Sequence, residues 1–318
     1  MEVKKILIQI GYQKTGTTWL QKHFFNNDLV GFSQPFTSVE IDKALIYPLP
    51  LGYNSQQCSS QLFPNLIKTQ KRNLVPVISR ERLSGSLRGG GYDSVYLADR
   101  LLAMFPQAKI LLVIREQKAM IYSSYKQMVK GGYSLTLREL LGLEQRDKQR
   151  LHLFDLSRFE YHHLIEYYFS LFGRDQVLVL PYELFRGNPK QFIGRISSFC
   201  QINPSEEIVA SLPYQIKEND TYSGAATASQ RIINRWFVKD LEFNPTTLFS
   251  LNVNFKIIKA IATRLDRLLF PPLKKHYDSK YRTLIARKVK DRYRESNLIT
   301  SNLINIDLKQ YGYDLVDN

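Results

Sequence analysis

Cysteine is scarce in this chain, with only Cys58 and Cys200 among 318 residues. Two thiols cannot build a disulfide framework, and neither stands in a CxxC pair. A reducing compartment is therefore expected. No run of 18 apolar residues occurs, so no membrane-spanning helix is expected. The first residues, Met1-Glu2-Val3-Lys4-Lys5, lack the apolar stretch and small-residue cleavage site of a signal segment. These absences lead to the expectation of a soluble, cytoplasmic protein. Acidic residues are in deficit, 29 against 44 Lys and Arg, a net charge of +15 that favours anionic partners without choosing among them. The 16 glycines and 13 prolines are too few for a collagenous or low-complexity chain. Zinc-finger spacing, leucine heptads, RNA-binding signatures and internal repeats are all missing. A hydrophobic content of 44% is enough for a sizeable core.

The apolar pattern alternates strands with helices. Ile6-Leu7-Ile8-Gln9-Ile10 reads as an inner parallel strand, apolar on both faces. A turn over 11–16 follows, then a helix from Thr17 with Trp19, Leu20 and Phe24 on one side. Residues 32–66 contain Pro35, Pro48, Pro50, Gly52 and Pro64, and read as loops and short helices that cover a site. Leu74-Val75-Pro76-Val77-Ile78 is a second strand, although Pro76 cannot donate to a ladder. The clearest strand is 109–114, ending at Arg115, with a helix over 117–130 after it. A core helix over 159–172, a strand over 176–180 and a helix from Pro189 complete an α/β pattern with a central parallel sheet flanked by helices. Beyond residue 205 the chain reads as helical, over 228–239, 255–269 and 281–294, with Pro271-Pro272 as a break. Residues 254–294 carry 13 Lys or Arg and 3 Asp, a basic patch suited to an anionic surface.

The most informative stretch is Gly11-Tyr12-Gln13-Lys14-Thr15-Gly16-Thr17-Thr18-Trp19. A strand that feeds a glycine-bounded turn and a helix presents backbone N–H groups to a phosphate. Gly11 and Gly16 permit the tight path, Lys14 places a mobile positive charge over bound oxygens, and Thr17 and Thr18 offer hydroxyls. It is not a Walker A loop, because position 17 is Thr where that motif needs Lys. It also fails the GxGxxG dinucleotide spacing.

Lys14-Thr15-Gly16-Thr17-Thr18-Trp19-Leu20 after a first strand resembles the 5′-phosphosulfate loop of sulfotransferases that use 3′-phosphoadenosine 5′-phosphosulfate (PAPS). The second motif of that family is a strand ending in arginine with a serine eight residues on, matched by Arg115 and Ser123. The resemblance spans residues 4–200 and implies a P-loop-like three-layer fold. It implies a single domain over 1–318, with a nucleotide-binding core over 1–200 and a mostly helical part over 201–318. PAPS would be the donor and 3′-phosphoadenosine 5′-phosphate (PAP) the product, with no metal required. Gly11, Lys14, Thr15, Gly16, Thr17 and Thr18 would hold the 5′-phosphate. Arg115 and Ser123 would hold the 3′-phosphate. Trp19 would either stack on adenine or pack beneath the loop. Arg231 would close over the nucleotide, with Lys217, Asn219, Tyr222 and Ser223 as further gate residues.

Catalysis needs charge neutralisation, assigned to Lys14, and a base for the acceptor. Ser79-Arg80-Glu81-Arg82-Leu83-Ser84-Gly85 resembles the acceptor-side glutamate segment of bacterial and Golgi-type members, which favours Glu81 over His23 and Glu40. Arg80 or Arg82 would oppose the rise in pKa that burial would give a carboxylate base. Ser84, Arg88 and Gly89-Gly90-Gly91 would form a rim. The implied acceptor is a carbohydrate, glycolipid or other small hydroxylated molecule, with peripheral contact to an anionic membrane and no nucleic-acid partner. Two other readings remain open from the sequence: a magnesium-dependent nucleotide kinase or ATPase with an altered loop, and a nucleic-acid or acidic-glycan binding module.

Overall fold

The computed structural model describes residues 5–87, 89–144, 154–216, 218, 222–238, 260, 263–264 and 266–316. The chain forms two compact units. The first comprises residues 1–116, 157–218 and 293–318, and the second comprises 117–156 and 219–292.

The first unit is built on five parallel strands: β1 (Leu7–Gln9), β2 (Phe32–Ser33), β3 (Val75–Ser79), β4 (Lys109–Ile114) and β5 (Val177–Pro181). Their order is β2-β3-β1-β4-β5, with β1 at the centre. The three middle strands are almost wholly buried, as expected of strands covered on both faces. Helices flank the sheet in an α/β/α arrangement, among them Ser94–Met104, Tyr161–Phe172, Pro189–Phe199 and Arg294–Ile304. Pro76 is accommodated because its partner β2 is only two residues long. The irregular reading of 32–66 needs correction, since Ser55–Lys71 is a 17-residue helix with Pro64 inside it. Its polar sequence hid the periodicity, and Asn54 caps it by accepting from the Gln57 N–H.

The second unit holds helices Gln117–Lys130, Gly224–Phe237 and Pro271–Val289. Pro271-Pro272 start the last of these rather than breaking the chain, because proline lacks only an N–H that the first turn leaves unused. Asp278 Oδ1 accepts from the Gly224 N–H at 3.0 Å and also from the Tyr122 hydroxyl. Asp266 accepts from the Ser223 hydroxyl at 2.5 Å. Two of the three acids in the basic segment are thus spent on anchoring the start of helix Gly224–Phe237. Lys275, Lys280, Arg282, Arg287 and Lys288 remain exposed. No helix among the described residues is long and apolar enough to cross a membrane.

Candidate active site

The phosphate-type loop, the Glu81 turn and Arg115 leave the sheet at one edge. Gln9 at the end of β1 is in register with Ser79 at the end of β3 on one side and with Leu111 of β4 on the other. The Arg80 N–H donates to Gln9 O at 3.1 Å. The Tyr12 N–H donates to Val113 O at 3.3 Å, so the loop follows β4 before turning. Arg115 then donates from Nη1 to Lys14 O at 2.9 Å, and its guanidinium lies 5.2 Å from the centre of the Tyr182 ring. This is the carboxyl edge of a parallel sheet, where open α/β folds bind ligands.

Within the loop, Lys14 and Gly16 take positive φ values of 68° and 82°. A Cβ on Gly16 would meet Tyr182 at 3.1 Å and Phe185 at 3.3 Å. A Cβ on Gly11 would stand 3.1 Å from the Val113 nitrogen. The Thr15 hydroxyl donates to Tyr12 O at 2.5 Å and folds the loop on itself. The Tyr12 phenol is buried, which pushes its pKa up to about 12, and it donates to Arg158 O. Thr17 Oγ1 is buried with no hydrogen-bond partner among the described residues. An orphaned hydroxyl at a helix start fits a phosphate oxygen, because a buried polar group without a partner is costly. The residues present therefore fit a nucleotide phosphate.

Trp19 takes the packing alternative. It is 4% exposed, lies nearly parallel to Tyr214 at 5.5 Å, abuts Phe185, and donates from Nε1 to Pro213 O. Of the two roles read from the sequence, adenine stacking and packing beneath the loop, these contacts fit the second.

The candidate bases separate by their partners. The Glu40 carboxylate closes a capping box with Thr37, whose N–H lowers its pKa. His23 pairs with Glu218 at 2.5 Å, and Lys22 holds the other oxygen of the same carboxylate. Glu81 begins a tight turn, Glu81–Ser84, directly after β3. The arginines beside it are engaged elsewhere: Arg80 binds both oxygens of Asp42 at 2.7 and 2.6 Å, and Arg82 pairs with Asp93.

Two supporting residues escaped the sequence reading. Gln21 donates to the oxygens of Ser79, tying the helix after the loop to the end of β3. Arg158 is half-buried and donates to Ser84 O, Gly85 O and Ser86 O at 3.3, 2.9 and 3.3 Å, fastening the segment that follows Glu81. No local motif marks either residue.

Ser123 is buried in the second unit, on helix Gln117–Lys130. Arg231 lies on helix Gly224–Phe237 of the same unit and donates to Ser134 O at 3.4 Å. Tyr222 is buried, with its hydroxyl 3.2 Å from that of Thr263, and Ser223 caps its own helix. Arg88, Lys217 and Asn219 lie outside the described residues.

The sulfotransferase domain matches residues 4–238, about three quarters of the chain. The protein belongs to the sulfotransferase domain family. It transfers a sulfuryl group from PAPS to a hydroxyl or amine acceptor. The ATPase and binding-module readings give way to this activity. Among solved structures, the chain is similar to a sulfotransferase from Alicyclobacillus acidocaldarius at 15% identity, covering 96% of this chain and 97% of that one, with a TM-score of 0.55. That similarity concerns the fold. The sulfotransferase domain of the curacin biosynthetic pathway is 13% identical, over 83% of this chain and 99% of that one, with a TM-score of 0.41. A mouse sulfotransferase complexed with PAP is 12% identical over 95% and 89%, with a TM-score of 0.34. No curated protein matches the chain at a significant level.

Proposed function

We propose that this sulfotransferase acts on a hydroxyl of a carbohydrate, a glycolipid or another small hydroxylated acceptor. The loop after β1 holds the 5′-phosphate of PAPS through Thr15, Gly16, Thr17 and Thr18, with Gly11 allowing the close approach. Lys14 neutralises the negative charge that grows on oxygen during transfer. Arg115 and Ser123 bind the 3′-phosphate, the first as a planar fork able to take two oxygens. Arg231 adds positive charge toward the nucleotide. Glu81 accepts the proton of the acceptor hydroxyl. When bound, PAPS supplies the sulfuryl group and a phosphate leaving group.

The reading is carried by one shared edge. The Gln9–Ser79 register sets the loop and the Glu81 turn side by side, and the Arg115 contact to Lys14 O brings a second anion-binding group to the same loop. The whole chain, 1–318, serves as one catalytic domain, with its nucleotide-binding core in 1–200. It works in the cytoplasm, and the basic segment 254–294 rests on anionic membrane.

Glu81→Gln tests the base. It keeps size and removes the proton acceptor, so turnover falls by a factor on the order of 10²–10⁴ while PAP affinity stays within about twofold. Stopped turnover with intact calorimetric PAP binding is the expected result. Near-normal turnover removes Glu81 from the reaction.

A further inference from the structure

The peptide joining Arg115 to Glu116 is held at both ends by side chains. Its carbonyl, Arg115 O, accepts from the Tyr161 hydroxyl at 2.6 Å. Its N–H, on Glu116, donates to Glu183 Oε1 at 3.1 Å. The other oxygen of that carboxylate, Glu183 Oε2, accepts from the Tyr313 hydroxyl at 3.1 Å. All five residues belong to the first unit. They come from the two positions after β4, the start of helix Tyr161–Phe172, the short helix Tyr182–Gly187 after β5 and the C-terminal segment.

A peptide just past a strand would normally be fixed by continuing the ladder. Here the ladder ends with Ile114 opposite Pro181, which has no N–H to donate. The side chains replace the missing backbone partners. The arrangement is expensive, because two phenols and a carboxylate are withdrawn from water to make it. Tyr161 and Tyr313 are buried, and burial holds both phenols well above their usual pKa, so they remain protonated donors. A phenylalanine at either position would fill the same volume without a polar group to satisfy. The hydroxyls therefore serve the peptide rather than the packing. What this peptide controls is the direction in which Arg115 leaves the sheet.

We infer that Glu183, together with Tyr161 and Tyr313, is a positioning cage for Arg115, and that it sets how strongly the enzyme prefers a nucleotide carrying a 3′-phosphate. The inference rests on the reading of Arg115 as the 3′-phosphate ligand. None of the three side chains needs to touch the nucleotide. They lock the peptide plane, and the guanidinium inherits its aim.

The test is calorimetric affinity for PAP and for ADP, which lacks the 3′-phosphate, in the full-length protein. Variants are Arg115→Ala, Tyr313→Phe, Tyr161→Phe and Glu183→Gln. Arg115→Ala alone examines the underlying reading: a PAP-to-ADP ratio unchanged in that variant refutes the 3′-phosphate role, whatever the cage does. With that role in place, Tyr313→Phe and Glu183→Gln lower the ratio by about three- to tenfold, chiefly through PAP, with ADP affinity unchanged. In an Arg115→Ala background, Tyr313→Phe has no further effect on the ratio. A purely structural role would weaken both nucleotides together. Equal weakening of PAP and ADP, or a wild-type ratio in the cage variants when Arg115→Ala has lost it, overturns the inference. Should Glu183→Gln fail to fold, the two isosteric phenylalanine variants decide the matter in the same assay.

Discussion

At the scale of single residues, the loop after β1 is specified by backbone geometry as much as by charge. Gly16 combines a positive φ with aromatic rings where a side chain would begin. A Gly16→Ala substitution meets both penalties, strain in the left-handed region and crowding against Tyr182 and Phe185. It lowers folding stability by about 1–3 kcal/mol and weakens PAP binding, because the loop must shift to relieve the contact. Denaturant unfolding and calorimetry on the same variant measure the two effects. Unchanged values in both would mean that the loop tolerates a different path. Lys14 shares the positive φ without being glycine, so the backbone around its side chain is also strained in favour of the loop. Residues of this kind were readable from sequence, since glycine spacing after an apolar strand has few other uses.

At the scale of elements, β1, β3, β4 and β5 were legible because parallel strands carry apolar runs such as Ile110-Leu111-Leu112-Val113, whereas the two-residue β2 was not. The helix Ser55–Lys71 was not, because its sequence is mostly polar and contains Pro64. The candidate site divided in the same way. The loop and Arg115 sit in contiguous motifs, whereas Arg158, Gln21, Glu183 and Tyr313 act through contacts between residues far apart in the chain. Arg158 is the plainest case. Its guanidinium occupies the space that a side chain on Gly91 would fill and bonds three successive carbonyls of the segment after Glu81. Arg158→Ala opens a void and removes the guanidinium bond to Gly85 O, while Ser84 O and Ser86 O keep their bonds from the Ser94 hydroxyl and the Gly91 N–H, so stability falls by about 2–4 kcal/mol. Turnover falls on the order of tenfold, while PAP affinity stays within about twofold, because the loosened segment follows Glu81, the proposed base. Steady-state kinetics alongside calorimetry separates the two quantities. A matching loss in PAP affinity would place Arg158 on the nucleotide side instead.

At the scale of the whole molecule, a net charge of +15 draws in polyanions of many kinds and by itself selects none of them. Selection comes from where the fold sets its few directed groups. Strand order β2-β3-β1-β4-β5 puts the two strands that precede the Glu81 turn and Arg115 on either side of the strand that precedes the loop. The sequence pattern carried the parallel α/β winding but not this order, because the two-residue β2 lies in a stretch that reads as irregular. The most direct measurement is metal-free calorimetry of PAP and ADP on the native protein and on Arg115→Ala. PAP is expected to bind at least roughly a hundredfold more tightly than ADP, and most of that margin to vanish with Arg115, as for loss of a charge-assisted bidentate contact. Equal affinities for PAP and ADP in the native protein, or a margin untouched by Arg115→Ala, would contradict it.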